Sequence, residues 1–161
     1  MTQYIDIPQP DQIDIREKED AMGAYFMMFA ALAAGLPLPV LNLIAAIIYL
    51  YINKSKSRFV HFHALQSLLS QIPTSLLNIG LVFWLIRVIF WDFHFNYYFK
   101  GYLAMVIAAN LIYILFSIIA AVKARRGEFY YFIFFGRLSY HYAYRADTAP
   151  GIAVVNQPPK M

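Results

Sequence analysis

Apolar residues in this sequence fall into three long blocks, Ala21 to Ile52, Phe59 to Trp91 and Tyr102 to Val122. At a rise of about 1.5 Å per residue, a helix formed by any of these blocks could cross the roughly 30 Å hydrocarbon core of a bilayer. The composition agrees with this pattern, because 61% of the residues are hydrophobic and only 14% are charged. The pattern predicts an all-α integral membrane protein, folded as a small helical bundle.

The first block is interrupted in its middle, and this leaves its topology open. A straight helix over the whole block would measure about 48 Å, well beyond one hydrocarbon thickness. Prolines 37 and 39 break it, because proline removes a backbone donor and clashes with the preceding turn. The block is therefore either one Pro-kinked span or a hairpin of two short helices. The predicted segments are about 21–36, 38–53, 59–91 and 101–124, which gives a bundle of four helical segments if the first two are separate.

A polar stripe runs along the second block. Its members recur every three or four residues and so share one face of a helix. They are His63, Gln66, Ser67, Ser70, Gln71, Thr74 and Asn78. An unpartnered amide or imidazole in hydrocarbon costs several kcal/mol, so this face should meet other helices, a partner subunit or a water-filled cavity. We expect Asn110, a single amide in the third block, to hydrogen-bond with the stripe.

Two clusters of basic residues predict how the bundle is oriented. The clusters are Lys54, Lys56 and Arg58 before the second block, and Lys123, Arg125 and Arg126 after the third. The second and third blocks lie between the clusters and would cross the membrane in opposite directions, so both clusters lie on the same side. The positive-inside rule assigns that side to the cytoplasm. We therefore predict a multi-pass protein of the bacterial inner membrane with a cytoplasmic C-terminus. The side of the N-terminus depends on whether the first block is a hairpin or a single span.

The chain outside the blocks differs in character at its two ends. Residues 1–20 hold six acidic and two basic side chains and are predicted to be a flexible acidic lead-in. Residues 129–145 are aromatic but too polar to span, so they should lie along the interface or against the bundle. We predict that they present a partner surface made by Phe129, Tyr130, Tyr131, Phe132, Phe135 and Arg137. Residues 146–161, rich in proline and small residues, are predicted to be disordered.

The sequence offers little material for chemistry. It contains no cysteine, and the three apolar blocks contain no acidic residue. His61 and His63 are two residues apart and would point to different faces of a helix, which disfavours a shared metal. Ser67 and Ser70 lie near His63, but no third group is available to orient the imidazole. We predict a non-enzymatic protein without cofactor, metal, nucleic-acid partner or identifiable small-molecule substrate, whose partners are the lipid bilayer and other integral membrane subunits.

Two stretches resemble the bacterial Tic-like membrane family, a relative of the twenty-kilodalton Tic component of the chloroplast inner-envelope protein translocon. The first is Lys56 to Leu68, in which Phe62, His63, Ala64 and Gln66 match the start of the family's second helix. The second is Ala120 to Tyr130, which is similar to the basic-Gly-Glu-aromatic exit of its last helix. The resemblance implies four helical segments with both termini cytoplasmic, which favours the hairpin for Ala21 to Ile52. It implies no enzymatic activity. The aromatic residues after Gly127 depart from the family pattern, which expects a short proline-containing end.

Two functions remain open at this point. The first is a non-enzymatic accessory or structural subunit of a larger membrane complex, concerned with protein translocation or membrane-protein biogenesis. The alternative is a small oligomeric channel or carrier, in which the stripe from His63 to Asn78 lines a hydrated path. The two differ in what the stripe contacts, which is protein in the first case and water in the second.

Overall fold

A computed structural model describes residues 5–29, 39–90 and 95–145, and these residues form helices, turns and short extended links, with no β-strand among them. The α-helices are Ile15–Phe26 (α1), Pro39–Asn53 (α2), Arg58–Phe90 (α3), Tyr97–Arg125 (α4) and Phe135–Tyr144 (α5). Short 3₁₀-helices cover Pro10–Gln12 and Met27–Phe29. The all-helical class predicted from the sequence is confirmed for the described part of the chain.

Two helices of the described chain, α3 with 33 residues and α4 with 29, are long and apolar enough to cross a membrane. Helix α2 is also apolar but has only 15 residues, and α1 has 12. The described residues of the first apolar block thus belong to two short α-helices, α1 and α2, and to the 3₁₀-helix that follows α1.

Helices α1 and α2 lie antiparallel, which is the geometry of a hairpin. The hydroxyl of Tyr49, near the end of α2, donates to the carbonyl of Asp20 in α1 over 2.6 Å. Lys56 then binds the carboxylate of Asp20 over 2.8 Å. A Cβ added to Gly23 would lie 2.7 Å from the Tyr49 hydroxyl, so a glycine lets the two helices approach here. The turn predicted between them lies outside the described residues.

The acidic lead-in differs from the flexible tail expected from its composition. Helix α1 already begins at Ile15, where the side chain of Asp14 accepts a hydrogen bond from the backbone N–H of Arg16. Ile13 is buried in a core cluster, and Glu19 pairs with Arg125 over 3.0 Å. An apolar anchor and ion pairs with the basic clusters thus hold a segment that composition alone assigns to solvent.

Helices α3 and α4 are antiparallel, and their two ends have different surroundings. At the end that carries both basic clusters, here called the basic end, α1 packs between them on small residues, Ala21, Ala120, Ala121 and Ala124. At the other end, residues 76–110, here called the distal hairpin, the described parts of α3 and α4 pack mainly on each other. The ring of Trp84 there contacts the rings of Phe99 and Tyr102 at 5.6 Å.

After α4 the chain reverses at Gly127, which has a φ of 78°. The N–H of Gly127 donates to the carbonyl of Ala124, and the N–H of Glu128 donates to that of Lys123. This is a Schellman cap, in which a residue with positive φ satisfies the last carbonyls of the helix. Residues 129–145, here called the C-terminal hairpin, then run back along α3, turn, and return as α5. Residues 146–161, predicted to be disordered, lie outside the described part of the chain.

Candidate functional site

The polar stripe of α3 faces protein along most of its length. His63, Gln66, Ser67, Ser70 and Gln71 are buried, while Thr74 and Asn78 are partly buried. Hydrogen bonds join the upper part, next to the basic end, to α1 and to the C-terminal hairpin, and join the last residue of the stripe to α4. The polar groups of the stripe therefore have protein neighbours with which to form hydrogen bonds.

The centre of the stripe is a buried network around Tyr25 of α1. The Tyr25 hydroxyl accepts a hydrogen bond from Nε2 of Gln66 and lies 2.9 Å from Nδ1 of His63. The hydroxyl and the imidazole form a hydrogen-bonded pair, in which either group can donate according to the tautomer of His63. The rings of Phe59, Phe62 and Phe129 surround the imidazole at 4.5 to 5.9 Å. The histidine is thus held in an aromatic cage closed to solvent.

Gln66 also binds the backbone of the C-terminal hairpin. Its Nε2 donates to the carbonyl of Tyr130 over 2.7 Å. Its Oε1 accepts from the N–H of Phe132 over 3.4 Å. One side-chain amide thus supplies a donor and an acceptor to an extended backbone, as a neighbouring strand would. Gln66 is the point at which α1, α3 and the C-terminal hairpin are joined.

Four of the remaining polar residues of the stripe bind backbone groups or each other, while the Oε1 of Gln71 is buried without a hydrogen-bond partner among the described residues. The hydroxyl of Ser67 donates to the carbonyl of Ala24 on α1 over 2.8 Å. Ser70 and Thr74 donate to carbonyls of their own helix, three residues earlier. Asn78 and Asn110 exchange two amide hydrogen bonds of 3.0 and 3.1 Å. The structure thus brings Asn110 to the last residue of the stripe.

A cavity of about 380 Å³ lies between α3, α4 and the turn of the C-terminal hairpin. Its lining is mainly apolar and includes Ser70, Thr74 and Tyr113. The hydroxyls of Tyr113 and Ser117 are buried without a well-formed hydrogen bond. Sequence reasoning overlooked Tyr25 and Tyr113. The available signal was a tyrosine in an alanine-rich segment, because close helix packing buries the hydroxyl and requires a polar partner.

The basic clusters lie together at one end and are partly neutralised. Lys56 and Arg125 bind consecutive acidic residues of α1, Asp20 and Glu19, and Lys123 pairs with Glu128. Arg58 donates to the carbonyl of Ala143 at the end of α5. Lys54 lies over the ring of Tyr51, and Arg126 is exposed.

The six residues predicted as a partner surface do not share one face. Phe129, Tyr130 and Phe132 turn toward the bundle, because their rings pack on Phe59, Phe62 and Phe116 or on each other. Tyr131 and Arg137 are exposed, and Phe135 is partly buried. The outward surface of the hairpin is formed instead largely by the turn residues Ile133 and Phe134.

The described residues contain no group of three or more His, Asp or Glu side chains placed to hold a metal ion. His94 lies outside the described residues. The Tyr25–His63 pair has the chemical groups of an acid–base couple, but both side chains are almost fully buried. With no carboxylate bound to either and aromatic rings on several sides, the arrangement serves packing better than proton transfer.

Comparison with known proteins gives one family. The model of the magnetosome magnetite crystal formation protein family matches residues 19–139, about three quarters of the chain. No curated protein and no solved structure matches the chain. The resemblance to the Tic-like family was wrong, because it rested on two short stretches that the matched family model covers together with everything between them. The expectation of a role in protein translocation is withdrawn with it.

Proposed function

Because the chain belongs to the magnetosome magnetite crystal formation protein family, we propose that it is a non-enzymatic accessory protein of the magnetosome membrane that takes part in the formation of magnetite crystals. The observation that carries this proposal is the extent of the family match, which runs from α1 to α5 and includes the whole buried network. The matched region is thus the packed bundle and not a detachable tail.

We place α3 and α4 across the membrane. Large apolar side chains point outward from both helices over most of their length, as lipid contact requires. They include Leu76, Phe83, Ile89, Ile107, Leu111 and Leu115. The two basic clusters at one end support a cytoplasmic position for that end and for the C-terminus. Single cysteines test this orientation, because the chain has none of its own.

The orientation experiment compares an exposed residue at each end. In isolated magnetosomes, Ser55→Cys at the basic end should react with a membrane-impermeant thiol reagent. Tyr98→Cys in the distal hairpin should react only after the membrane is opened. Labelling of Tyr98→Cys before that point would contradict the proposed orientation.

A role through contact rather than bond-making is supported by the closed network. Each hydrogen bond of Gln66 and Ser67 ends on protein, at Tyr25, Ala24, Tyr130 or Phe132. A stripe that lined a hydrated path would leave such groups facing water. Other integral proteins of the magnetosome membrane are the partners we propose. Purification in mild detergent should retain them, and recovery of a monomer alone would contradict that part.

The role in crystal formation is tested in a magnetite-forming host from which this protein has been deleted. Electron microscopy should show crystals altered in size, shape or number, and expression of the protein should restore them. Crystals identical with and without the protein would overturn the proposal. Tyr25→Phe separates contact from chemistry: a folded, membrane-inserted variant should still restore the crystals, because it keeps the packing and loses only the hydroxyl.

A further inference from the structure

The first strand-like part of the C-terminal hairpin descends along α3, away from the basic end. It begins at Phe129, whose ring contacts the rings of Phe59 and Phe62 at 5.2 and 5.0 Å. Next along the chain, Tyr130 and Phe132 bind Gln66 through their backbone. Gln66 is eight residues beyond Arg58, which is about 12 Å along a helix axis.

The second part of the hairpin returns to its starting level. The ring of Tyr140 in α5 lies 6.4 Å from that of Tyr131. The ring of Tyr144 lies 5.7 Å from that of Phe129. The carbonyl of Ala143 accepts a hydrogen bond from Arg58, at the start of α3. The turn at residues 133 and 134 is therefore the point farthest from the basic end.

Contacts with α4 give the same depth independently. The ring of Phe132 lies 6.2 Å from that of Phe116, which is nine residues, or about 14 Å of helix, before Arg125. Ile112, one turn further, lines the cavity beneath the turn. If the basic clusters mark the membrane surface, the turn lies near the middle of a hydrocarbon core about 30 Å thick.

We infer that the C-terminal hairpin is a re-entrant element, which inserts its turn among the acyl chains of the leaflet next to the basic clusters and leaves on the side it entered. The side chains at the turn fit that surrounding, because Ile133 is 83% exposed and Phe134 is 80% exposed. Both residues lie beside α4, because they line one cavity together with Ile112 and Phe116. The inference rests on the membrane placement proposed above and not on the role in crystal formation.

The backbone of such an element needs hydrogen-bond partners that lipid does not supply. Non-helical backbone at this depth is tolerated only where protein satisfies it. Gln66 does this for Tyr130 and Phe132, on the two sides of one residue. Arg137, exposed on the first turn of α5, has a stem long enough to carry its guanidinium toward the headgroups. Gln66 is thus a positioning residue for the hairpin.

Spin labels on single cysteines measure the depth of the turn in lipid vesicles. The test variant is Ile133→Cys, with Leu115→Cys on α4 as the hydrocarbon reference and Ser55→Cys as the aqueous reference. Collisions with oxygen report hydrocarbon, and collisions with a water-soluble nickel chelate report water. We expect the oxygen-to-nickel ratio at residue 133 to match that at residue 115 and to exceed that at residue 55 several-fold.

The outcomes separate this inference from the membrane placement beneath it. A nickel-accessible label at residue 133, with residue 115 in hydrocarbon, would overturn the re-entrant element and leave the spans in place. A label at residue 133 shielded from both reagents would show protein contact instead of lipid and would also overturn it. Water at residue 115 would remove the membrane placement and the inference together. Crystal formation is read by a different measurement and does not enter this result.

A second measurement tests Gln66 in the same assay. Gln66→Leu in the Ile133→Cys background should raise nickel accessibility several-fold, because the hairpin backbone loses its partners. Asn78→Leu, an amide replaced on the same helix in the distal hairpin, should leave the label where it was. An unchanged depth in the Gln66→Leu variant would contradict the positioning role.

Discussion

The basic end and the distal hairpin are built from the same two helices but differ in how far the side chains of α3 are buried. At the basic end Phe59, His63 and Gln66 of α3 are all 0% exposed. In the distal hairpin Phe83 is 61% exposed and Phe90 is 72% exposed. The difference follows the neighbours, since α1, α2 and the C-terminal hairpin all pack on α3, while the ring and amide contacts of the distal hairpin join α3 to α4. Polar side chains occupy α3 where protein can satisfy them.

The distal hairpin also has polar contacts between its helices, and they are of a different kind. The hydroxyl of Tyr102 on α4 donates to the carbonyl of Leu77 on α3 over 2.8 Å. Asn78 and Asn110 bind each other and the carbonyls of their own helices, so the pair ties two helices together. Gln66 joins three elements, and it satisfies the Tyr130 carbonyl and the Phe132 N–H, which lie outside any helix. Substitutions at the basic end should therefore cost more than equivalent ones in the distal hairpin.

The largest expected effect is that of Gln66→Leu. Leucine fills much of the same volume but leaves the Tyr130 carbonyl and the Phe132 N–H buried without this partner. At roughly 1 to 3 kcal/mol for each unsatisfied group, the free energy of unfolding should fall by about 3 kcal/mol. Reversible unfolding by SDS in mixed micelles measures the loss. A loss no larger than that of Asn78→Leu would remove the contrast between the two ends.

The second effect concerns the reversal at the end of α4. Gly127→Ala forces a side chain onto a residue with a φ of 78°, where its Cβ would meet Cα of Pro10 at 3.1 Å. The left-handed conformation alone should cost about 1 to 2 kcal/mol of unfolding free energy. Gly101→Ala is the control within α4, because a Cβ there meets nothing within 4 Å. That variant should be neutral or slightly stabilising, and an equal loss in both would contradict the argument.

How far the sequence predicts this molecule follows the same division. The periodicity of α3 predicted the stripe as a single face, and the apolar run of α4 predicted a long helix, because both patterns are local. The partner of His63 and Gln66 was not predictable, since Tyr25 lies 38 residues before the first and 41 before the second, and nothing in the spacing points to it. The ordered structure of the acidic lead-in could not be predicted either. Composition alone does not show that Glu19 pairs with Arg125 and Asp20 with Lys56.

The C-terminal hairpin shows the same limit. An aromatic, moderately polar segment predicts a place at an interface, but its inward and outward faces depend on which rings find a surface to pack on. Phe129 points inward because its ring packs on the rings of Phe59 and Phe62 of α3. This contact depends on the tertiary structure and not on the local sequence. The family could not be inferred from two short motifs either, because each covers a dozen residues or so and the family match covers the bundle.

A smaller effect is expected for the amide pair of the distal hairpin. Asn78→Ala and Asn110→Ala, alone and combined, form a double-mutant cycle. Hydrogen bonds between membrane helices contribute about 0.6 kcal/mol on average and up to about 1.7 kcal/mol, so the coupling energy should lie in this range. SDS unfolding of the four proteins gives it directly. A coupling energy above that for Gln66 and Tyr25, measured by the same cycle with Gln66→Leu and Tyr25→Phe, would reverse the ranking of the two ends.

The smallest expected effect is a pH dependence confined to the basic end. Burial raises the pKa of the Glu17 carboxyl above its ordinary value of 4.5, with a hydrogen bond to Ser57 opposing the shift. The folded protein therefore holds this proton more tightly than the unfolded chain, so stability falls as pH rises through the raised pKa. Glu17→Gln removes the titration and should be more stable than the parent at neutral pH, by less than roughly 1 kcal/mol because water screens a half-exposed group. That advantage should shrink as the pH approaches 4.5, since the parent carboxyl is then protonated. The described residues of the distal hairpin contain no acidic side chain, so the pH dependence is expected at the basic end. If the stability advantage of Glu17→Gln stayed constant with pH, its origin would be packing and not the charge of Glu17.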